Sequence, residues 1–330
     1  MSLRSKFFFA LLALGPLTLR AQTLPRIHSM GNRFVNTQGD TVLFRGLSVA
    51  DPDKIEREGH WNPALFEHVR DMGATLVRLP VHPSAWRART PQRYLVLLDS
   101  AVRWCGRIGL YVDIDWHSIG NLETGLFQDQ IYNTSLQETF SFWRTIAQHF
   151  TGNSTVAFYE LFNEPTTYNG QLGRVSWSTW KKTNEDLIHL VRSFDRQTVP
   201  LVAGFDWAYD LTPLHEEPID AEGIGYVVHP YPFKRGQPWE PRWDEDFGFA
   251  AGKYPVIATE IGFEWKEGDP ADGAEHYGTR ITQYLEQHGI SWVAWVYETT
   301  WWPGMLKSWD TWELTGCGRF FRGAMHAAGR

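Results

Sequence analysis

FYELFNEP, residues 158–165, is an apolar run of Phe158, Tyr159, Leu161 and Phe162 that stops on Asn163 and Glu164, with Pro165 directly behind. Proline cannot continue a strand ladder and restricts the residue before it. The stretch therefore reads as a buried strand beginning at Val156, with a carboxylate held on stiff backbone at its end. Taken alone, one such acid reads first as an ordinary loop residue. The fold is decided by how often the same pattern recurs.

It occurs eight times in all. The other apolar runs are VLFRGLS (42–48), TLVRLP (75–80), LYVDIDWH (110–117), VPLVAG (199–204), IGYVVHPY (224–231), PVIATEIGF (255–263) and ISWVAWVYE (290–298). Most are continuously apolar rather than alternating, which suits strands covered on both faces. Helical patterns fill the gaps. In 62–73, Asn62 caps, Pro63 suits the first turn and Gly73 ends the helix. In 136–150, Leu136, Phe140, Trp143, Ala147 and Phe150 recur at helical spacing. Residues 177–195 and 273–288 behave similarly. Eight strand–helix alternations in one domain predict an α/β fold, a (β/α)8 TIM barrel. The rival, a doubly wound open sheet, would place a Gly-rich phosphate loop after an early strand, and the sequence has none.

The 330 residues are 43% hydrophobic and 21% charged, enough for a sizeable core and against global disorder. Seventeen Trp, 20 Phe and 12 Tyr exceed what a core needs and point to exposed aromatic platforms. Arg4 and Lys6 followed by apolar Phe7 to Leu14 read as a signal peptide over 1–21, cut after Ala21, although Leu19 fits the small-residue rule poorly. The run is too short to span a bilayer, and no cysteine near it suggests a lipid anchor. The expectation is a secreted protein, extracellular or periplasmic, with one catalytic domain over 22–330, monomeric, and without a membrane anchor. Processing removes Arg4, Lys6 and Arg20 and no acid. That leaves 28 basic against 38 acidic residues, a net of −10, which argues against nucleic acid and polyanionic substrates. Cys105 and Cys317 make neither a disulfide framework nor a metal pattern and read as buried single thiols.

In such a barrel the C-terminal ends of the strands open into the active site. ATEIGF puts Glu260 at the end of a second apolar run. Two glutamates on different strand ends can face each other across the mouth, as glycoside hydrolysis requires: one protonates the leaving oxygen, the other attacks the anomeric carbon or activates water. Asp113 and Asp115 read with His117 could suggest a metal. The ligand-rich set of a metal barrel is missing, however, so they read as hydrogen-bonded structural acids, with no metal and no cofactor.

FNEP, TEIGF (259–263), DIDWH (113–117), HPY (229–231) and ISWVAWV (290–296), in this order and spacing, resemble glycoside hydrolase family 5, the cellulase-like barrels of clan A. The likeness runs from about residue 30 to the C-terminus. GNRFVNTQGDTVLFRG (31–46) resembles that family's small N-terminal hairpin. The resemblance implies Glu164 as acid/base and Glu260 as nucleophile, retention of configuration, and carboxyls roughly 5–5.5 Å apart. An ionised Glu260 should then raise the pKa of Glu164, so that it starts protonated. The resemblance further implies that Arg78 bonds the nucleophile (the alternative is an ordinary rim ion pair), that Asn163 binds the sugar 2-OH, and that His117 lines the site beside the glycone sugar. It has His229 touching the acid/base, Tyr231 donating to Glu260 and Trp295 stacking under the sugar, while Trp292 packs in the wall. His82, Trp86, Trp207, Trp239, Trp265, Trp301 and Trp302 lie in loops at the mouth. They are candidate outer subsites, since aromatic faces match pyranose C–H faces. The expected enzyme is a retaining, metal-independent endo-β-1,4-glucanase acting on a polysaccharide or oligosaccharide. Alternatives are another β-glycan (mannan, xyloglucan), a non-catalytic sugar-binding barrel, and a metal-dependent barrel hydrolase.

Overall fold

A computed structural model describes residues 24–167 and 170–327; the expected signal segment lies outside them. Eight parallel strands close into a barrel: Arg45–Ser48, Leu76–Val81, Tyr111–Trp116, Val156–Glu160, Val199–Ala203, Gly225–Val227, Val256–Ile261 and Ser291–Ala294, the last pairing with the first. Almost every strand residue is buried, as continuously apolar runs require when helices cover the outside and side chains fill the inside. The hairpin Ile27–Met30/Arg33–Asn36 closes the N-terminal end, where Phe34 packs edge-on against Phe158 from inside the barrel.

The helices follow their local signals. Asn62 accepts from the Ala64 N–H and Pro63 opens the helix Pro63–Asp71. Ser135 accepts from the Glu138 N–H at the start of Leu136–Phe150. The buried stripe of that helix is Phe142, Trp143, Ile146, Ala147 and Phe150. Leu136 faces water and Phe140 is half-buried, so the predicted face was turned by part of a residue step. Cys105 and Cys317 are free and buried.

The strand carrying FYELFNEP ends earlier than expected. It stops at Glu160. Glu164 and Pro165 form a separate two-residue strand beside Ile119–Asn121, with the Glu164 N–H donating to Ser118 O at 3.0 Å. The carboxylate is fixed on stiff backbone, but by a second small sheet above the barrel. The true strand-end acid is Glu160.

Candidate active site

Four levels of side chain fill the barrel from its N-terminal end towards the mouth. Phe158, Leu76, Val199, Ile257 and Val293 make the greasy floor. Above it lies a charged layer with Arg78 at its centre. Arg78 donates to both oxygens of Glu160 (2.7 and 2.9 Å), to Glu260 Oε1 (2.8 Å) and to Asn163 Oδ1 (2.7 Å), and lies 2.9 Å from Asp115. Burial pulls the pKa of this guanidinium down, yet Asp115, Glu160 and Glu260 hold it well above the ordinary arginine value. Burial also pushes Glu160 upward, but Arg78 and His229 outweigh it and bring Glu160 down to about 2. Asp113 and Asp115 go the other way: burial, with Glu160 close by, drives both well above the carboxylate range.

The next level holds the two carboxylates expected from sequence. Glu260 Oε2 accepts from Tyr231 Oη at 2.8 Å, so both of its oxygens are held by donors. Burial pushes the Tyr231 phenol well above its usual pKa, which keeps it a donor. Glu164 Oε1 lies 2.9 Å from His229 Nδ1 and 3.8 Å from Lys234 Nζ. One carboxylate oxygen of Glu164, one of Glu260 and a His229 ring nitrogen lie within 4.8 Å of one another. Such a trio could chelate a cation, with Arg78 and Lys234 already present as competing counter-charges. Among the described residues, Asp113, Asp115 and His117 make no such group. Instead His117 Nδ1 bonds Asp115 Oδ2 at 2.6 Å, and burial, with His82, Arg78 and His229 nearby, holds the imidazole neutral.

Thr259 and Glu260 are neighbours on one strand and should point to opposite sides. The strand slips in register between Ala258 and Ile261. Both side chains then turn inward, Thr259 to Glu160 and Glu260 to Arg78.

The mouth is a cavity of about 520 Å³ lined by His117, Asn163, Glu164, Lys234, Trp207 and Trp295, among others. Asn163 gives its oxygen to Arg78 and has a buried Nδ2 with no protein partner, an unused donor beside Glu164. His117 stacks on Trp295 with centroids 5.3 Å apart and planes 8° from parallel. Trp207 and the exposed Trp302 also line the cavity. The remaining aromatic candidates do not. Trp86 is buried against Tyr94 and Phe142. Trp239 is buried in parallel with Trp243. Trp265 packs on Gly316 beneath Arg319. All three serve packing, and two of them are not loop residues at all: Trp86 lies within the helix Pro83–Arg89 and Trp239 opens the helix Trp239–Asp246. Trp301 stacks on Trp295 at 5.7 Å, and His82, buried on Asp51, meets Trp301 edge-on. These two brace the platform without lining the cavity. Trp292 lies in the wall, as expected.

Electrostatics correct the expected protonation. Burial pushes Glu164 up, but Lys234, His229 and Arg78 more than offset it, and its pKa lies below the ordinary glutamate value. Glu260 is raised, by burial and by Glu164. The expectation considered only the glutamate pair. It missed Lys234, which sits in the loop after the sixth strand, bonds Asp206 O (3.1 Å) and Trp207 O, and is nine-tenths buried on the side chain. Nothing in the linear pattern of PYPFKRG marks that lysine as inward-pointing. Glu160 was legible in principle, as an acid inside an otherwise apolar strand.

An eight-stranded parallel barrel with two facing carboxylates at its mouth, one on a barrel strand and one on the small sheet above, with an arginine and a tyrosine on the first and a histidine on the second, defines a glycosidase-type barrel. A family model described as Cellulase (glycosyl hydrolase family 5) matches residues 35–300. The chain belongs to glycosyl hydrolase family 5. It is similar to a beta-glucanase from Saccharophagus degradans, at 41% identity and a TM-score of 0.89 over 94% of this chain and 95% of that one. That protein has also been solved in complex with cellotetraose. Among curated relatives, Endoglucanase E-5 of Thermobifida fusca is 25% identical over 92% of this chain, and Endoglucanase A of Butyrivibrio fibrisolvens 23% over 61%. The chain spans 64% and 44% of their respective lengths.

Proposed function

We propose that this chain is an exported hydrolase that cuts neutral β-1,4-linked glucan internally, with retention of configuration, Glu260 acting as nucleophile and Glu164 as acid/base. The observation that carries the reading is the carboxylate pair. An oxygen of each lies within 4.8 Å of the other, which suits direct attack. The roughly 6.5–9.5 Å of inverting sites leaves room for an intervening water. Arg78 and Tyr231 hold Glu260 from both sides and aim it. Its bond to the anomeric carbon forms as the glycosidic bond breaks, and Glu164 gives its proton to the departing oxygen. Glu260 is then a neutral ester. Glu164, now ionised, takes a proton from water, whose oxygen displaces the ester.

Asn163 Nδ2 is the free donor for the 2-OH, and Trp295, braced by His117 and Trp301, is the platform beneath the sugar. Trp207 and Trp302 extend the aromatic lining of the cavity beyond Trp295. Chain-interior cleavage is supported by the exposed rim at Trp302 and Phe233 and by the names of the curated relatives. Residues 1–21 carry the export reading.

The test is reducing-end release across soluble β-glucan, mannan, xylan and xyloglucan. β-Glucan should be cut fastest, with its viscosity falling before many ends appear. Preference for mannan or xyloglucan would overturn the substrate, and single sugars released at constant viscosity would overturn the mode. A mechanism-based fluorosugar should label Glu260. A label on Glu264, which pairs with Lys266, or on Glu298 would remove Glu260 from the role.

A further inference from the structure

The ring of His229 is contacted at both nitrogens by oxygens whose own protons can be counted. Nε2 lies 2.9 Å from Thr259 Oγ1 and 3.6 Å from Glu160 Oε1. Glu160 is a carboxylate gripped by two bonds from Arg78, so it only accepts. Thr259 donates its single proton to Glu160 Oε1 at 3.0 Å. The hydroxyl then has only lone pairs for His229, and Nε2 must carry the hydrogen. On the other side, Nδ1 faces Glu164 Oε1 at 2.9 Å. That contact also needs one proton, either on Nδ1 with Glu164 ionised or on Glu164 with His229 neutral.

We propose that Thr259 is a positioning residue that fixes His229 as the Nε2–H tautomer, so that Glu164 and His229 hold one proton in common, which Glu164 delivers to the leaving group. This rests on the reading of Glu164 as acid/base. In the free site the proton rests on His229, as imidazolium facing carboxylate. Other groups facing this pair are Glu260, Lys234, Arg78, His117 and Tyr231. Burial opposes the charge on His229, but Glu260, Glu160 and Glu164 hold its pKa above the usual value. As sugar displaces water, the neutral pair gains on the charged one, and the proton passes to Glu164. From there it goes to the glycosidic oxygen, which leaves with the electrons of the broken bond. In the second half-reaction a water proton restores the pair.

Without the Thr259 hydroxyl, the imidazolium loses the acceptor of its Nε2–H. The neutral ring can turn to the Nδ1–H tautomer and still satisfy ionised Glu164. The pair then releases its shared proton more readily, and the alkaline limb of kcat/KM falls. Loss of one hydrogen bond to a charged group corresponds to a shift of about one pH unit.

The experiment compares the native protein with Thr259→Val, which keeps the shape, and Thr259→Ser, which keeps the hydroxyl. Thr259→Val should move the alkaline limb down by about one unit, and Thr259→Ser should leave it in place. Coincident limbs for Thr259→Val and the native protein, or equal shifts in both variants, overturn the proposal. A second measurement needs no turnover. Nitrogen-15 NMR of ring-labelled protein, with His229→Gln identifying the signal, should show the neutral His229 ring as Nε2–H, switching to Nδ1–H in Thr259→Val. A native ring already in the Nδ1–H form overturns the proposal. If no glycan is cleaved, the functional reading fails, and the ring signal still decides the tautomer.

Discussion

Lys234 governs Glu164 from a position that no motif marks. Its ammonium is buried, anchored on two backbone carbonyls and 3.8 Å from the carboxylate. Lys234→Met removes a charge that holds the Glu164 pKa down. The acid must be protonated for the first step, so the alkaline limb of kcat/KM should move to higher pH, opposite in sign to Thr259→Val. A pH–rate profile on a soluble β-glucan checks this, and an unchanged or lowered limb would show that the lysine only braces the loop. Glu164→Gln should reduce turnover of natural glucan by roughly 10²–10⁴-fold. An aryl glycoside with an activated phenol needs little protonation, so its glycosylation step should lose far less. Equal losses on both substrates would exclude Glu164 as the acid. The pattern of strand ends made Glu164 and Glu260 legible, and the family resemblance of their motifs pointed to Asn163, His229 and Tyr231. Lys234 and Thr259 were not legible, because their importance lies in which atoms they reach.

At the scale of elements, loops decide which aromatics face the mouth. Trp86 and Trp302 were equivalent in sequence, yet Trp86 is packed in the helix layer and Trp302 is 55% exposed. Trp86→Ala should therefore cost roughly 3–5 kcal/mol of stability, as a large core ring does, with KM for the residual folded protein unchanged. Trp302→Ala should leave stability alone and weaken binding of longer oligosaccharides. Denaturant melts beside KM on chains of increasing length separate the two. The loop after the eighth strand is held by Glu298, fully buried, which pairs with Lys54 and accepts from the N–H groups of Thr300 and Trp301. Lys54→Met would strand that charge and should destabilise by roughly 3–5 kcal/mol. Adding Glu298→Gln should recover part of the loss, and a double-mutant cycle by thermal melting would measure the coupling.

For the whole molecule, the charged layer ties stability to pH. Glu160 has a folded pKa of about 2, against an unfolded value of 4.5. Its contribution is fully present above pH 4.5 and is lost as pH falls towards 2. The shift corresponds to roughly 3 kcal/mol. Asp113 and Asp115, raised by burial, act in the opposite sense, so the contribution is read as a difference. The stability gap between the native protein and Glu160→Gln should narrow through this window in urea titrations. A gap independent of pH would mean that Glu160 is not charged in the fold.

The sequence by itself determined the barrel, because eight apolar runs alternating with amphipathic helices have few other ways to bury both faces. It also determined the two glutamates, because each is a charge ending an apolar run, followed directly by Pro165 in one case and two residues later by a glycine in the other. Only the tertiary structure decided that the FYELFNEP strand ends at Glu160, since Glu164, although it ends the apolar run, pairs by its backbone with Ile119–Asn121 outside the barrel strand. Only the tertiary structure decided the charge state around Glu164. A buried carboxylate's pKa is set by the nearest charges in space, and Lys234 and His229 reach it from 70 and 65 residues away along the chain.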